Sequence, residues 1–285
     1  RNGDVRCAGS NLRGQLGLGT TKAAFGSLPG ETGSALPRVE LGPGIVAVQI
    51  AAGNEHACVV GNDTAVRCWG STASGQLGIM VGSAVSAWGT TTAQMGAGLP
   101  IVSLGSNVET VLSVSAGSTH TCALVRAVGN SAGRIKCWGD NYYGQCGTGS
   151  SQAKYGYTSG TMGDALPYVD LGSGLSALKV VVGFGLTCAL RSDYRVTCWG
   201  ASDVVGHGPF GGWYGLSSGA YGVLPSQMGD GLPAVDLSDD VPRAPSQSPS
   251  KSPTTSRPSM SPSKAPVTAT PSTSPSTAPT TSRPS

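Results

Sequence analysis

The sequence lacks the residue patterns on which most enzyme and metal-site assignments rest. Its 285 residues contain no Cys-x-x-Cys pair, no Gly-x-Ser-x-Gly or His-Glu-x-x-His motif and no phosphate-cradling glycine loop. Only three histidines are present, and charged residues make up 12% of the chain. We therefore expect a protein that is not an enzyme and that holds neither a metal ion nor a cofactor.

Long apolar runs and clusters of basic residues are also missing. No stretch approaches the ~20 consecutive apolar residues that cross a bilayer. The formal net charge is +3, but residues 241–285 carry five basic residues and no acid, which leaves 13 basic against 15 acidic residues in 1–240. Because phosphate binding needs clustered Lys and Arg, we expect no nucleic-acid partner and no membrane span.

What the sequence does contain is a repeated hairpin. Residues 186–200 read LTCALRSDYRVTCWG, and the same pattern returns at 56–70 and at 120–139. Alternating apolar residues on either side of a polar centre predict two short strands joined by a turn. A shortened copy, RNGDVRCAG, opens the chain without a first cysteine and with Ala8 in place of tryptophan. We therefore expect upstream sequence beyond this point.

The cysteines recur in pairs within these hairpins. The ten-residue gap between Cys188 and Cys198 sets the two side chains opposite each other, where Cα atoms of an antiparallel ladder lie ~4.5 Å apart, within reach of a disulfide. Regular pairs of this kind favour an oxidising, extracellular compartment over buried reduced thiols. The predicted disulfides are Cys58–Cys68, Cys122–Cys137 and Cys188–Cys198. Cys7 and Cys146 remain, and could bond each other, an upstream strand or another chain.

Each hairpin is followed by segments that complete a larger unit. A tight Gly-Gln-Leu-Gly turn comes first, as at residues 14–17. An 18-residue block then aligns four times without a gap and ends in Leu-Pro-x-Val-x-Leu, which we predict to be a short edge strand. A further strand, such as 45–53, leads to the next hairpin. About four strands per repeat cannot bury both faces alone, so we predict an all-β fold, a β-propeller of about four four-stranded repeats.

The repeat resembles that of the regulator of chromosome condensation family. The resemblance lies in HTCAL at 120–124, Val-x-Cys-Trp-Gly at 66–70 and 196–200, and Asn-x-x-Gly-Gln-Leu-Gly at 11–17. It is strongest to the extracellular, cysteine-paired branch. Family propellers usually close with about seven blades, so the resemblance implies either further blades upstream or a small or open propeller. It also implies nucleotide exchange on a small GTPase, although that nuclear activity needs no disulfides.

The last 45 residues differ in kind from the repeats. Residues 241–285 contain 11 Pro, 13 Ser and 8 Thr and no aromatic residue, so they cannot bury enough surface to fold. This composition predicts an extended polyproline-II tail with O-linked sugars, similar to the stalks of protist and algal surface glycoproteins, although an unmodified linker is the alternative. We therefore divide the chain into a propeller domain, 1–240, and a stalk, 241–285. Candidate modified residues are Ser248, Ser252, Thr254, Thr255, Ser261, Thr270, Ser274, Thr280, and, as hydroxyproline, Pro249, Pro253, Pro262, Pro271 and Pro275.

Few other positions are candidates for a functional role. Asn62 lies in the chain's one Asn-x-Ser/Thr acceptor, at a hairpin tip where a glycan fits. His56 and His120 share a repeat position that holds leucine in the next copy, which indicates packing; His207 stands alone. Recurrent acids such as Asp164 and Asp230 are interpreted as turn residues rather than calcium ligands. The aromatic candidates for a binding face are Tyr142, Tyr143, Tyr155, Tyr157, Trp213 and Tyr214.

Taken together, these features favour a structural role. The expected protein is a non-enzymatic extracellular glycoprotein at the cell surface, a module of a coat or filament that assembles with itself or with neighbouring chains. The alternative is an extracellular propeller that binds a protein or a glycan. Covalent glycans are the one non-protein component we expect. We further expect the strand edge at residues 4–8 to be covered by a segment outside residues 13–240.

Overall fold

A computed structural model describes residues 3–82, 84–201 and 220–235 of the chain. One compact unit spans Arg1–Leu237, and Ser238–Ser285 falls outside it. The stalk predictions, together with those for His207, Trp213 and Tyr214, lie outside the described residues.

The described elements are short strands and single 3-10 turns. The strands are β1 (Gly9–Ser10), β2 (Ala24–Phe25), β3 (Ala47–Ala52), β4 (His56–Gly61), β5 (Val66–Ser71), β6 (Ala87–Trp88), β7 (Val108–Ala116), β8 (His120–Ala127), β9 (Asn130–Asp140), β10 (Lys154–Tyr155), β11 (Ala177–Val182), β12 (Leu186–Arg191), β13 (Val196–Ala201) and β14 (Ala220–Tyr221). The 3-10 helices are Gly33–Ala35, Thr92–Gln94, Gly96–Gly98, Gly163–Ala165, Pro225–Gln227 and Gly229–Gly231.

The strands form antiparallel sheets that follow the sequence repeat. Three sheets have four strands each, in the orders β3-β4-β5-β6, β7-β8-β9-β10 and β11-β12-β13-β14, and β1 pairs with β2. We call these sheets blades 2, 3 and 4, and the partial first repeat around β1–β2, residues 3–42, blade 1. Each predicted hairpin supplies the two middle strands of its blade, so the predicted all-β architecture is confirmed.

The fourth strand of each blade differs from the expectation. We predicted that Leu-Pro-x-Val-x-Leu would form it, but in blade 2 the outer edge of β5 is divided between two segments. Trp88 pairs with Gly70 at one end, and Ile101 makes an isolated bridge to Arg67 at the other. The residues between the two segments, which include two 3-10 turns, leave the ladder, and Pro100 has no N–H with which to extend it. The edge is therefore shared between two short pairings.

The hydrophobic core lies within and between the blades rather than under one sheet. The tryptophan of each complete hairpin, Trp69, Trp138 and Trp199, is fully buried. On the inner strands, Gln49 of β3 donates through Nε2 to the Val114 carbonyl of β7 at 2.9 Å and accepts the Val114 N–H at 2.6 Å. Side chains that reach the next blade thus join neighbouring sheets.

Blade 1 carries the strand edge singled out in the sequence. The Val39 N–H donates to the Val5 carbonyl at 2.9 Å, so one side of this edge is covered by the chain's own closing segment. On the other side, where blades 2 to 4 place the first hairpin strand, no strand among the described residues pairs with residues 5–8. The expectation of an external strand stays a prediction for that side alone.

Candidate functional site: blade seams and a loop face

The three predicted disulfides are present and are confirmed pair by pair. Cys58 is bonded to Cys68, Cys122 to Cys137, and Cys188 to Cys198. In each hairpin the two cysteines are direct ladder partners, with Cα atoms 4.1 Å apart. The spacing argument holds because the register brings both side chains to one face of the sheet.

The two remaining cysteines are free thiols in the structure. Cys146 is fully buried at the position that Leu16 and Leu77 occupy in earlier repeats, and its thiol donates to the Asp140 carbonyl at 3.5 Å. Burial and the nearby Asp140 carboxylate raise the pKa of this thiol well above its ordinary value. In the structure Cys146 packs as a leucine substitute and is not bonded to Cys7; a bond from Cys146 to an upstream strand or to another chain stays a prediction. Cys7 is half-buried.

One hydrogen bond recurs at every seam between consecutive blades. The indole Nε1–H of Trp69, Trp138 and Trp199 donates to the backbone carbonyl of Gln15, Gln76 and Gln145, at 3.0, 2.9 and 3.1 Å. The glutamine belongs to the Gly-Gln-Leu-Gly turn of the preceding blade. This contact explains why the Trp-Gly and Gly-Gln-Leu-Gly motifs occur together: each joins its blade to a neighbour.

The same indole rings account for the closing glycine of that turn. Gly17 has φ +65° and Gly147 has φ +61°, and a Cβ built on either would lie 2.7 and 2.5 Å from the tryptophan Nε1 of the next blade. The sequence indicated tight turns with positive φ in which side chains have no room, and this prediction is confirmed.

The repeated histidines also join blades. His56 Nε2 lies 2.8 Å from Thr121 Oγ1, and that hydroxyl donates to the Gln76 carbonyl at 2.9 Å. The hydroxyl proton is thus used, so the histidine must donate from Nε2. His120 makes the same contact with Thr187, also at 2.8 Å.

Burial sets the protonation of both histidines. It lowers the pKa of His56 to about 4; for His120, burial and then repulsion from His56 lower the pKa to about 3. Neither Nδ1 atom has a hydrogen-bond partner among the residues described. The packing interpretation is correct, but the histidine also makes a polar contact that leucine at position 186 cannot make.

Two of the recurrent acids bridge seams. Asp164 Oδ1 accepts the Ser106 N–H at 2.7 Å, and Asp230 Oδ1 accepts the Ser173 N–H at 2.7 Å. Both were interpreted as turn residues, and both lie in 3-10 turns. Sequence reasoning missed that each carboxylate caps the end of the preceding blade's closing segment.

Exposed aromatic side chains mark one end of the blades. Tyr142 and Tyr143 follow β9 and are 69% and 41% exposed, with their rings 5.0 Å apart in a T-shaped pair. Phe184, in the turn between β11 and β12, is 85% exposed. The Asp140 N–H bonds the Thr119 carbonyl and the Ser118 N–H bonds the Gly183 carbonyl, so these turns share one end of blades 3 and 4. We call this surface the loop face.

The aromatic candidates Tyr155 and Tyr157 are less exposed than the residues of the loop face. Tyr155 is buried and donates to Thr148 Oγ1 at 3.1 Å, so its candidacy as a binding residue is wrong. Tyr157 is half-buried, and the Lys154 ammonium stacks 4.7 Å from its ring centroid. Phe184 was missed; its signal was an aromatic residue between two glycines where earlier copies carry Asn54 and Ser118.

Asn62 lies at the tip of the β4–β5 hairpin, as predicted, and is exposed. Its Oδ1 accepts the Val46 N–H at 3.0 Å, and its Nδ2 donates to the Gly44 carbonyl at 3.3 Å. Ser192 makes the matching contact in blade 4, where its Oγ accepts the Ser176 N–H at 3.1 Å. Asn62 therefore has a structural role as well, and its glycosylation stays a prediction.

In residues 3–82, 84–201 and 220–235, His, Cys, Asp and Glu side chains form no group of three or more that could hold a metal ion. No helix within those ranges is long and apolar enough to cross a membrane.

The fold matches solved propellers. Human WBSCR16 superposes with a TM-score of 0.55 at 17% identity, over 83% of this chain and 49% of that one. Yeast RCC1 (Prp20) bound to Kap60 gives 0.53 at 18% over 83% and 46%; Prp20p from Saccharomyces cerevisiae gives 0.54 at 18% over 83% and 48%. The chain is a β-propeller in fold, and it spans about half the length of these structures.

One repeat of the chain also matches a known repeat family. Residues 47–76, which include β3, β4 and β5, match the Regulator of chromosome condensation (RCC1) repeat. This match and the shared propeller fold support the RCC1-repeat family, as the motifs suggested.

Proposed function

We propose that this chain is an extracellular, non-catalytic propeller module that binds a protein partner through its loop face. The observation that carries the proposal is the exposure of Tyr142, Tyr143 and Phe184 at one end of blades 3 and 4. Tyrosine and other aromatic side chains supply much of the binding energy at protein interfaces, since they bury a large area and lose little rotamer freedom.

The scaffold suits this role. The turn that carries Tyr142 and Tyr143 is anchored by Trp199 and Thr187, which both donate to the Gln145 carbonyl. Binding residues on short loops held by a rigid framework need little ordering when a partner docks. Phe184, which has no polar group of its own, fits an apolar pocket on a protein better than a sugar surface.

An extracellular location is supported by the disulfide chemistry of the hairpins. Three disulfides within single hairpins persist in oxidising compartments and are rare in reducing ones. The proposal includes the glycans expected at Asn62 and on residues 241–285, and neither a cofactor nor a catalytic site is part of it.

A photo-crosslinking experiment tests the loop face. A benzoylphenylalanine residue is placed at 184 in one variant and at 194 in another, because Phe184 and Tyr194 are both strongly exposed at opposite ends of β12. Illumination of the secreted protein in its native extracellular material is expected to give a discrete protein adduct from position 184 only. Tyr142→Ser together with Tyr143→Ser should remove that adduct.

Two results would oppose the proposal. Equal adducts from both positions would mean that the loop face has no special role. Binding to a glycan array that is lost in the double tyrosine variant, with no protein adduct from 184, would assign the face to sugars instead.

Self-assembly in a coat or filament is the second candidate. It is favoured by the open side of the strand edge at residues 5–8, which carries Cys7 where the other blades place the second cysteine of a disulfide. A neighbouring chain that added a strand there would bury unpaired backbone groups. Non-reducing electrophoresis of native material should then show disulfide-linked oligomers that Cys7→Ser abolishes; monomers in both samples would exclude this candidate.

A further inference from the structure

The seam between blades 1 and 2 lacks the carboxylate bridge found at the later seams. Ala97 occupies the position of Asp164 and Asp230, and Pro43 occupies the position of Ser106 and Ser173. Proline has no N–H to donate and alanine has no acceptor, so both halves of the bridge are missing together.

A cavity of about 420 Å³ lies at this seam, within the size range of small-molecule sites. We call it the first-seam pocket. Its lining includes Leu18, Pro43, Met95 and Ala97, which form apolar walls, and the charged residues Arg38 and Glu40. The pocket combines a mainly apolar body with few polar groups, which is typical of sites for small ligands.

The charges around the first-seam pocket favour a cation. Arg38 Nη2 lies 2.9 Å from Asp4 Oδ2, so the guanidinium charge is balanced within the protein. The Glu40 carboxylate makes no hydrogen bond or ion pair with any residue that the structure describes, and it is exposed. One negative charge is therefore available at the pocket.

The following seam shows which cation this environment accepts. There the buried Lys136 ammonium donates to the carbonyls of Leu104 and Gly163, at 2.6 and 3.1 Å. The corresponding residue of blade 2 is Arg67, and its guanidinium is bound instead to Asp63 at 2.7 Å. Gly96, the counterpart of Gly163, lines the first-seam pocket, and within the described residues no ammonium bonds its carbonyl.

We propose that the first-seam pocket binds a primary alkylammonium group. The ammonium contacts the Glu40 carboxylate and the Gly96 carbonyl, and the alkyl stem packs on Leu18, Pro43 and Met95. A lysine side chain of a partner protein and a free alkylamine present the same chemistry. The site is separate from the loop face and does not rest on the proposed function.

Methionine methyl NMR tests the pocket directly. Met95, Met162 and Met228 occupy the same position in successive blocks and are all buried, so the last two are internal controls. Titration with n-hexylammonium, and separately with Nα-acetyl-lysine methylamide, should shift the Met95 methyl signal saturably and leave the other two in place. n-Hexanol, which has the stem without the charge, should bind at least about tenfold more weakly.

Two variants give the test its controls. Glu40→Gln keeps the shape of the pocket and should weaken hexylammonium binding about tenfold, whereas Glu109→Gln, at an exposed carboxylate of β7, should not. The double variant Pro43→Ser/Ala97→Asn introduces at this seam an uncharged counterpart of the bridge found at the later seams. This variant should abolish binding.

Each outcome of the two titrations either supports or overturns the proposed ammonium site. Saturable, Glu40-dependent binding of hexylammonium alone would indicate a free amine, and of the lysine derivative alone a partner's side chain. A Met95 signal that does not move, equal binding of hexanol, or full affinity in Glu40→Gln would overturn the proposal. The Glu40→Gln arm remains informative if the double variant fails to fold.

Discussion

Trp138 donates its indole N–H to the carbonyl of Gln76 across a sequence separation of 62 residues, at 2.9 Å and with both side chains buried. The contact joins blade 3 to the turn of blade 2. Because the same pair recurs at the other two seams, adjacent blades are held together by a polar contact inside an apolar surround, where an unmet donor or acceptor is costly.

Replacement of this tryptophan should therefore weaken the whole domain. Trp138→Phe removes the indole donor and part of a fully buried ring, while Thr121 still donates to the Gln76 carbonyl. We expect the free energy of unfolding, measured by urea denaturation, to fall by about 2–3 kcal/mol. Tyr142→Phe, at an exposed ring, is the control and should leave it unchanged; an equal loss in both would contradict the account.

The glycine beneath the indole can be tested with a matched pair. Gly147 and Gly160 both have positive φ, at +61° and +78°, but a Cβ at Gly147 would meet Trp199 at 2.5 Å whereas one at Gly160 would meet nothing within 4 Å. Gly160→Ala should cost only the backbone strain, about 1–2 kcal/mol. Gly147→Ala should cost at least about 1 kcal/mol more, since the indole must move. Equal losses would show that packing at the seam is loose.

The buried histidines predict a loss of stability in mild acid. An unfolded histidine takes up a proton near pH 6.5, whereas folded His56 resists until about pH 4 and His120 until about pH 3. Unfolding is therefore coupled to proton uptake below pH 6.5, and the stabilisation that is complete above that pH is lost progressively as the pH falls toward 4 and 3. For His56 alone the difference corresponds to roughly 3 kcal/mol.

Leucine at both histidine positions should flatten this dependence. Position 186 shows that the fold accepts leucine there. We expect urea midpoints of His56→Leu/His120→Leu to vary little between pH 6.5 and 4.5, while those of the parent protein decline. The window ends at 4.5 because Asp63 and Asp193, whose pKa values are lowered by their arginine partners, lose stabilisation at lower pH. Parallel curves for the two proteins would exclude the histidines as the cause.

The composition of residues 241–285 predicts that this segment has a greater mass than the bare peptide. Ser and Thr beside Pro are the usual sites of O-linked sugars, and attached sugars would keep the segment extended. Mass spectrometry of the tail peptide before and after deglycosylation checks the first point, and small-angle scattering checks the second. An unmodified mass would contradict the predicted O-glycosylation. A stalk as compact as the propeller domain would contradict the predicted extended conformation.

The sequence predicted what depends on local spacing. Two cysteines ten residues apart around a polar turn define a register, and Cys188 pairs with Cys198 for that reason. It did not predict contacts between repeats, such as the cap that Asp164 places on Ser106, 58 residues away. Nor did it separate Tyr142, which is exposed, from Tyr155, which is buried, because burial there depends on how neighbouring blades pack rather than on the pattern of the strand itself.

The decisive test of a propeller domain with disulfides inside single hairpins is thiol mapping of the native protein. Free thiols are alkylated before reduction, and the peptides are then mapped. We predict cross-linked peptides for Cys58–Cys68, Cys122–Cys137 and Cys188–Cys198, each bond contributing about 2–3 kcal/mol because it closes a short loop, with Cys146 alkylated only after unfolding. Six free thiols would contradict the proposed extracellular location, and pairs crossed between repeats would contradict the hairpin register.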